Sequence, residues 1–260
     1  MRVLVVTAVA AERDAVCAAA GPYTAEQLPG GYALHRPVRP VDHSPGPAPV
    51  VLDALAAGVG PAAAAAATAT ALTAAALTGE PYGLVVSAGI GGGFAPGAPL
   101  GSVVVADAIV AADLGAETPE GFTPVTGLGF GTVAHHPDPA LVRAVAAAAG
   151  AAAGPVLTVS TVTGSAGRAA ELAARHPGAL AEAMEGFGVA EAAAAHGVPV
   201  LEIRTVSNAV GPRDRAAWRI GPALTALTAA FGALPGALRA TTSPGAAPAP
   251  QPAPSARRTP

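Results

Sequence analysis

Short aliphatic, largely β-branched runs recur along this chain, and alanine-rich stretches fill the intervals between them. That alternation limits the possible folds more than any other feature. The runs lie at 3–6 (VLVV), 50–55 (VVLDAL), 83–86 (GLVV), 101–110 (GSVVVADAIV), 155–160 (PVLTVS) and 200–206 (VLEIRTV). Runs without strict polar alternation suit strands buried on both faces, as in a parallel sheet covered by helices. Helices are expected at 61–77, 139–149, 168–174, 184–195 and 216–238. Pro61 fits a first helical turn, where its missing N–H costs nothing, and Asp138-Pro139 is a cap signal. The expectation is an α/β fold, with a mostly parallel, mixed central sheet flanked by helices in one domain over 1–240. Residues 21–49, rich in Pro and Gly, read as a surface excursion with short strands at 24–28 and 32–36. From 241 onward, TTSPGAAPAPQPAPSARRTP is too poor in large apolar residues to form a core and is expected to be a disordered tail.

Composition removes several classes of function. The chain is 52% hydrophobic, 12% charged and carries a formal net charge of −3. The chain contains no lysine, so no P-loop lysine exists. The one basic pair, Arg257-Arg258, lies in the tail, and nothing points to nucleic acid or an anionic membrane as partner. A single cysteine, Cys17, excludes an intrachain disulfide framework and reads as a small buried hydrophobe. The apolar N-terminal run is interrupted early by Glu12, Arg13 and Asp14, so it reads as a core strand rather than a signal peptide. The 62–77 stretch, built of alanine and threonine between Gly and Pro flanks, reads as a helix of the globular domain and not a membrane span. A cytoplasmic protein is expected.

In open α/β sheets, ligands sit beyond the carboxyl ends of the strands. The residues just past each run are therefore site candidates: Thr7 and Glu12; Ser87 and the glycines from Gly89; Thr161 to Ser165; and Ser207-Asn208. The segment SAGIGGG lacks the spacing of a dinucleotide fingerprint. Its glycines suit either close approach of a flat ring or sugar to the backbone, or a plain tight turn. His135 and His136 are adjacent and lack further ligands at metal spacing, so no metal is expected. No serine occupies a G-x-S-x-G elbow. Carboxylates remain as the reactive groups. Glu12 and Glu185 would each be ordinary alone, as acids at helix starts favoured by the dipole.

Taken together, several ordered pieces resemble the purine nucleoside phosphorylase and nucleosidase superfamily. TAVAAERDAV at 7–16 resembles the segment bearing the nucleosidases' catalytic acid. AAGVGPAAAAAAT at 56–68 resembles their Gly-x-Gly helix start, and VVSAGIGGGFAPGAPLGSVVVAD at 85–107 their glycine-rich turn and following strand. The most specific piece is AMEGFGVAEAAAAHGVPVLEIRTVSN at 183–208, similar to M-E-x-x-x-x-A, then G-(V/I)-P, then R-x-(I/V)-S-(D/N). Within the superfamily, SNAVGPRDRAAW at 207–218 and the 7–16 segment look most like the nucleosidase branch that removes hypoxanthine from futalosine in menaquinone biosynthesis.

The resemblance implies roles residue by residue. Glu12 would be the general base that activates water, and Glu185 would hold the ribose hydroxyls and stabilise the cationic sugar. Asn208, where adenine-directed relatives carry aspartate, would donate its amide to a 6-oxopurine. Gly89, Ile90, Gly91, Thr163, Gly164, Ser165, Met184 and Ser207 would line the substrate site. The residues before the glycines are Leu84, Val85 and Val86, where phosphorylases place an arginine, so water is the expected nucleophile. No cofactor is implied; the partners are a small nucleoside, water and further copies of the chain in a homo-oligomer. Arg213, Arg215, His135 and His136 are candidates for meeting a 5′ benzoate. The alternatives are a nucleosidase or phosphorylase for another purine nucleoside, such as methylthioadenosine or inosine, and a nucleoside-binding protein without catalysis.

Overall fold

The computed structural model describes residues 1–38 and 49–242. In chain order the elements are β1 (Arg2–Thr7), α1 (Ala10–Ala18), β2 (Tyr23–Gln27), β3 (Ala33–Pro37), β4 (Val51–Ala56), α2 (Pro61–Leu77), β5 (Leu84–Gly93) and β6 (Val103–Ala111). Then come β7 (Gly115–Thr118), β8 (Gly121–Pro124), β9 (Ala134–His135), α3 (Pro139–Ala149), β10 (Ala152–Thr158), α4 (Ala166–Arg175), β11 (Ala181–Ala183), α5 (Gly186–Ala195), β12 (Val200–Ala209) and α6 (Ile220–Thr242). Single 3₁₀ turns lie at Pro29–Gly31 and Arg215–Ala217.

The main sheet runs β11-β10-β6-β12-β5-β1-β4-β3-β2. Pairing is parallel between β1 and β4, β1 and β5, β5 and β12, β6 and β10, and β10 and β11. It is antiparallel between β12 and β6 and along the β2-β3-β4 edge. The mixed, mainly parallel α/β sheet expected from the sequence is therefore present.

Residue alternation along the central strands covers the sheet on both faces. Val3, Val5, Leu52, Val86, Leu201 and Ile203 pack with Val16 of α1, Val142 and Val145 of α3 and Phe231 of α6. Their neighbours Leu4, Val6, Leu55 and Val85 face the other way, against Ala64, Ala71 and Leu72 of α2 and Val189 of α5. Helix α6 is long and apolar enough to cross a membrane by composition alone. Here its Leu227, Phe231, Leu234 and Leu238, spaced at helical intervals, form one buried stripe of the core.

Several boundaries differ from the sequence expectation. The glycines after Val86 are not a turn: β5 continues through all of them to Gly93. It pairs with β12 on one side and, at Gly92 and Gly93, with β11 on the other. Strands β5, β12, β6, β10 and β11 thereby close on themselves. Closure needs a missing side chain at Gly91, where a Cβ would stand 2.8 Å from the Glu182 carbonyl oxygen of β11, and the chain folds back as tightly at Gly93, where a Cβ would stand 2.2 Å from the Ala98 carbonyl oxygen. Propensity rules read glycine as punctuation; here it allows backbones to approach inside a strand. The 112–137 connection contains the β7–β8 hairpin and β9, and the final helix begins at Ile220 rather than 216. The first two residues of the tail expected from 241 belong to α6; the rest of it, from 243, and residues 39–48 of the 21–49 excursion lie outside the described residues.

Gly93→Ala is expected to lower stability by about 1–3 kcal/mol, the usual cost of overpacking. Gly167→Ala, in α4 where a Cβ meets nothing within 4 Å, is expected to raise it by about 0.5–1 kcal/mol. Chemical denaturation of both variants measures the contrast.

Candidate active site

Helix α1 follows β1 after only Ala8 and Val9, so Glu12 lies in its first turn above the carboxyl end of the sheet. The side chain folds back and is 4% exposed. Its Oε2 accepts from the backbone N–H of Ala8 at 3.0 Å and of Val9 at 3.2 Å. Its Oε1 accepts from the Ile90 N–H at 2.9 Å. Burial pushes the Glu12 carboxyl above its ordinary range, and Arg204 together with the Ile90 and Val9 amides pulls against that shift. A carboxylate aimed by three backbone donors and made more basic by burial has the properties of a general base. Gly89 is part of the arrangement, because a Cβ there would stand 2.6 Å from Glu12 Oε1.

Glu185 sits at the head of α5, immediately after the short strand β11. Its Oε1 accepts from the Gly60 N–H at 3.2 Å, in the turn that starts α2. Its Oε2 accepts from the Met184 N–H at 3.3 Å and lies 3.3 Å from Nη1 of Arg204. Met184 is half-buried beside it.

Arg204 organises this centre. It is 1% exposed, on β12, and its guanidinium stands among the carboxylates of Glu202, Glu185 and Glu12. Nε donates to Glu202 Oε1 at 2.8 Å, Nη2 to the Ser87 hydroxyl at 3.0 Å and Nη1 to the Ile90 carbonyl at 3.5 Å. A Cβ on Gly89 would be 2.8 Å from Nη1, so the same glycine leaves room for the arginine and for Glu12. The positive charge at the centre is thus a guanidinium, charged at any working pH. Among the described residues, no group of three or more His, Cys, Asp or Glu side chains is placed to hold a metal ion.

Asn208 reaches the same end of the sheet by a different device. The register of β12 against β5 shifts between Val206 and Asn208, leaving Ser207 as an extra residue. Such a bulge re-aims side chains at a sheet rim. Ser207 Oγ lies 2.9 Å from Asn208 Oδ1 and 3.2 Å from the Gly91 carbonyl, either of which can accept its proton. Asn208 Nδ2 donates to the Ala209 carbonyl at 3.0 Å. With Oδ1 next to a hydroxyl donor, the amide keeps one N–H to offer outward.

The 159–165 loop is tied elsewhere. Thr163 donates through its backbone N–H to Glu182 Oε1 at 2.9 Å and through its hydroxyl to Glu182 Oε2 at 2.5 Å. Ser160 N–H donates to Asp113 Oδ2 at 2.7 Å. Ser165 caps α4 by accepting from the Arg168 N–H, and Gly164 is exposed. The structure therefore joins Glu12, Gly89, Ile90, Met184 and Glu185 directly around Arg204. Gly91, Ser207 and Asn208 attach through the β5–β12 pairing. Thr163, Gly164 and Ser165 connect only through Glu182 on β11. Of the cation candidates, His135 lies 2.7 Å from Glu191 Oε1, and Arg213 and Arg215 both lie over Trp218.

Residue-by-residue reading offered Ser87 as a candidate but gave no role to Arg204 or Glu202. A signal was present: Glu202 and Arg204 are two apart in an otherwise apolar strand, so they share a face and must be buried together. A charged pair inside a doubly covered strand is costly enough to suggest a function.

A profile of the Phosphorylase superfamily matches residues 49–231. A futalosine hydrolase of Streptomyces coelicolor is 67% identical over 234 residues, which is 90% of this chain and 95% of that one. The chain belongs to the futalosine hydrolase family of the phosphorylase superfamily. A second futalosine hydrolase, of Acidothermus cellulolyticus, is 47% identical over 236 residues, 89% of each chain. Solved structures add the fold. The 5′-methylthioadenosine/S-adenosylhomocysteine nucleosidase of Neisseria meningitidis superposes with a TM-score of 0.73 at 20% identity, covering 92% of this chain and 99% of its own. The Colwellia psychrerythraea nucleosidase gives 0.72 at 21% identity, covering 91% and 96%. The sequence resemblance and the α/β expectation thus agree with both kinds of relative.

Arg204→Leu leaves the three carboxylates around it without their cation, and is expected to destabilise the protein by about 3–5 kcal/mol at neutral pH. Carboxyls whose folded proton affinity is raised bind more protons folded than unfolded, so stability falls as pH rises. The deficit should therefore be smaller at pH 5 than at pH 8, which thermal unfolding at the two values tests.

Proposed function

We propose that this protein hydrolyses the N-glycosidic bond of futalosine, releasing hypoxanthine and dehypoxanthine futalosine, as a step of menaquinone biosynthesis. The observation that carries the reading is the 67% identity to the Streptomyces coelicolor futalosine hydrolase across 95% of that protein. The site chemistry supports it from below. Cleavage leaves an oxocarbenium-like ribosyl group and a purine anion, and each half needs a partner.

Glu12, buried and aimed by the amides of Ala8, Val9 and Ile90, takes the proton of the attacking water. Glu185 accepts the ribose hydroxyls and places negative charge beside the cationic sugar. Met184 packs on the sugar's apolar face. The outward N–H of Asn208 donates to O6 or N7 of the leaving hypoxanthine, while Ser207 keeps the amide in that orientation. A carboxylic acid at 208 would instead protonate N7 and accept from a 6-amino group; the amide favours a 6-oxopurine. Gly91 and the 163–165 loop, moored by Glu182, form the walls.

Water rather than phosphate is the acceptor in this reading. The central cation, Arg204, is already engaged by Glu202 and Glu185, and a phosphate would need an arginine not so neutralised. We further read the chain as a cytoplasmic homo-oligomer whose catalytic unit is 1–240, with exposed Phe130 and Val59 available to a neighbouring copy.

Purified protein is expected to release hypoxanthine from futalosine at the same rate with or without phosphate, followed by chromatography of the free base. Release of adenine from methylthioadenosine with futalosine untouched would overturn the assignment. Glu12→Gln is expected to lower kcat by about 10²–10⁴-fold, the usual contribution of a general base. In the wild type, activity should fall on the acid side at a pH above the ordinary glutamate value of 4.5, because the base must be ionised and burial makes it hold its proton longer. Asn208→Asp is expected to shift the ratio of futalosine to methylthioadenosine turnover toward the adenine nucleoside.

A further inference from the structure

Glu202 takes no direct part in the hydrolysis, yet its placement is demanding. It is fully buried on β12, two residues before Arg204 and on the same face of the strand. One oxygen, Oε1, accepts from Arg204 Nε at 2.8 Å; the other, Oε2, finds no hydrogen-bond partner among the described residues. The first residue of α5 is a glycine where any side chain would collide, since a Cβ on Gly186 would stand 2.3 Å from both carboxylate oxygens. Helix α5 is therefore seated directly over Glu202, and the same helix carries Glu185 at its head. A buried carboxylate with an unpaired oxygen is expensive, and a strand that packs well with leucine or valine has no structural need of one.

The charged groups around it are few. Arg204 faces it on its own strand, and Glu185 faces it from the head of α5. Glu12 of α1 lies beyond the guanidinium, and β5 presents only the Ser87 hydroxyl, bound to Nη2. Arg204 thus has one end fixed by Glu202 and the other, Nη1, turned to Glu185 at 3.3 Å and toward Glu12.

We propose that Glu202 is a positioning residue for the reaction: it anchors Nε of Arg204 so that Nη1 stands between Glu185 and Glu12, and its charge limits how much of the guanidinium's charge acts on the base. Without that charge, the arginine would draw the proton affinity of Glu12 down and make it a weaker base. With it, burial keeps Glu12 basic while the arginine still holds the two carboxylates in register. The proposal rests on the hydrolytic reading above.

The test is kcat/KM for futalosine against pH in the wild type, Glu202→Gln and Glu202→Asp. Glu202→Gln keeps an acceptor for Nε–H and removes the charge. Its acid limb is expected to move down by about one pH unit, the scale of an opposite charge newly felt at this range, with kcat lowered on the plateau and KM little changed. Glu202→Asp keeps the charge but sets the carboxylate back by one methylene. Its acid limb should stay at the wild-type position while kcat falls. A Glu202→Gln enzyme with the wild-type pH profile and kcat would overturn the proposal, since a residue that only fills space would behave that way. Should that variant fail to fold, Glu202→Asp decides: wild-type kcat there also overturns it. Failure of the hydrolytic reading appears separately, as a wild-type enzyme that releases no base from futalosine.

Discussion

The guanidinium of Arg204 is the constraint around which the rest of the molecule is arranged. It is almost wholly inaccessible, pairs with the carboxylates of Glu202 on β12 and Glu185 at the head of α5, and feels the charge of Glu12 on α1. Taking one cation and three acids out of water costs several kcal/mol per ion, and a hydrophobic replacement of similar volume would usually be at least as stable. Such a cluster persists where its geometry serves something other than stability. Here the arginine pairs directly with Glu202 and with Glu185 at the head of α5, and its charge acts on the buried carboxylate of Glu12 on α1. Both helices pack against β5, which supplies the Ile90 N–H to Glu12 and the Ser87 hydroxyl to Arg204.

Room for that cluster comes from what is missing around it. Gly89 gives space to both Glu12 and Arg204, Gly186 to Glu202, and Gly188 to the Pro61 carbonyl where α5 crosses α2. The alanines of α2 act in the same sense, since small side chains let that helix lie close to the sheet and to α5. Further along β5, Gly91 lets β11 close the curled half of the sheet, and β11 carries Glu182, which moors Thr163. The glycines are therefore the condition for the site's walls as well as its centre.

Much of this was legible in the linear chain. The aliphatic runs between alanine-rich stretches predicted a helix-covered, mainly parallel sheet, because only strands buried on both faces tolerate continuous aliphatic sequence. The segments around Glu12, Met184-Glu185 and Ser207-Asn208 stood out as polar groups at the carboxyl ends of such strands. The glycine segment was legible as a place of close approach, but whether a turn or a strand used it was not. Local propensity treats glycine as a breaker, and its pairing partners, β11 and β12, arrive from more than eighty residues away.

By itself, the sequence determined the fold class, the order of the elements and the absence of a lysine-dependent phosphate loop, and it singled out Glu12, Glu185 and Asn208 as candidates. The fold class and element order come from residue type and short-range periodicity; the two acids and the amide were singled out by their place after the strands together with the family resemblance of the segments that carry them. Tertiary structure alone decided that Arg204 joins the two acids, that Glu202 holds Arg204 from behind, that Ile90 gives its N–H to Glu12, and that a bulge at Ser207 aims Asn208. Each depends on which side chains from distant strands share one small buried volume, and the energy of a buried charge is set by that company rather than by its neighbours along the chain.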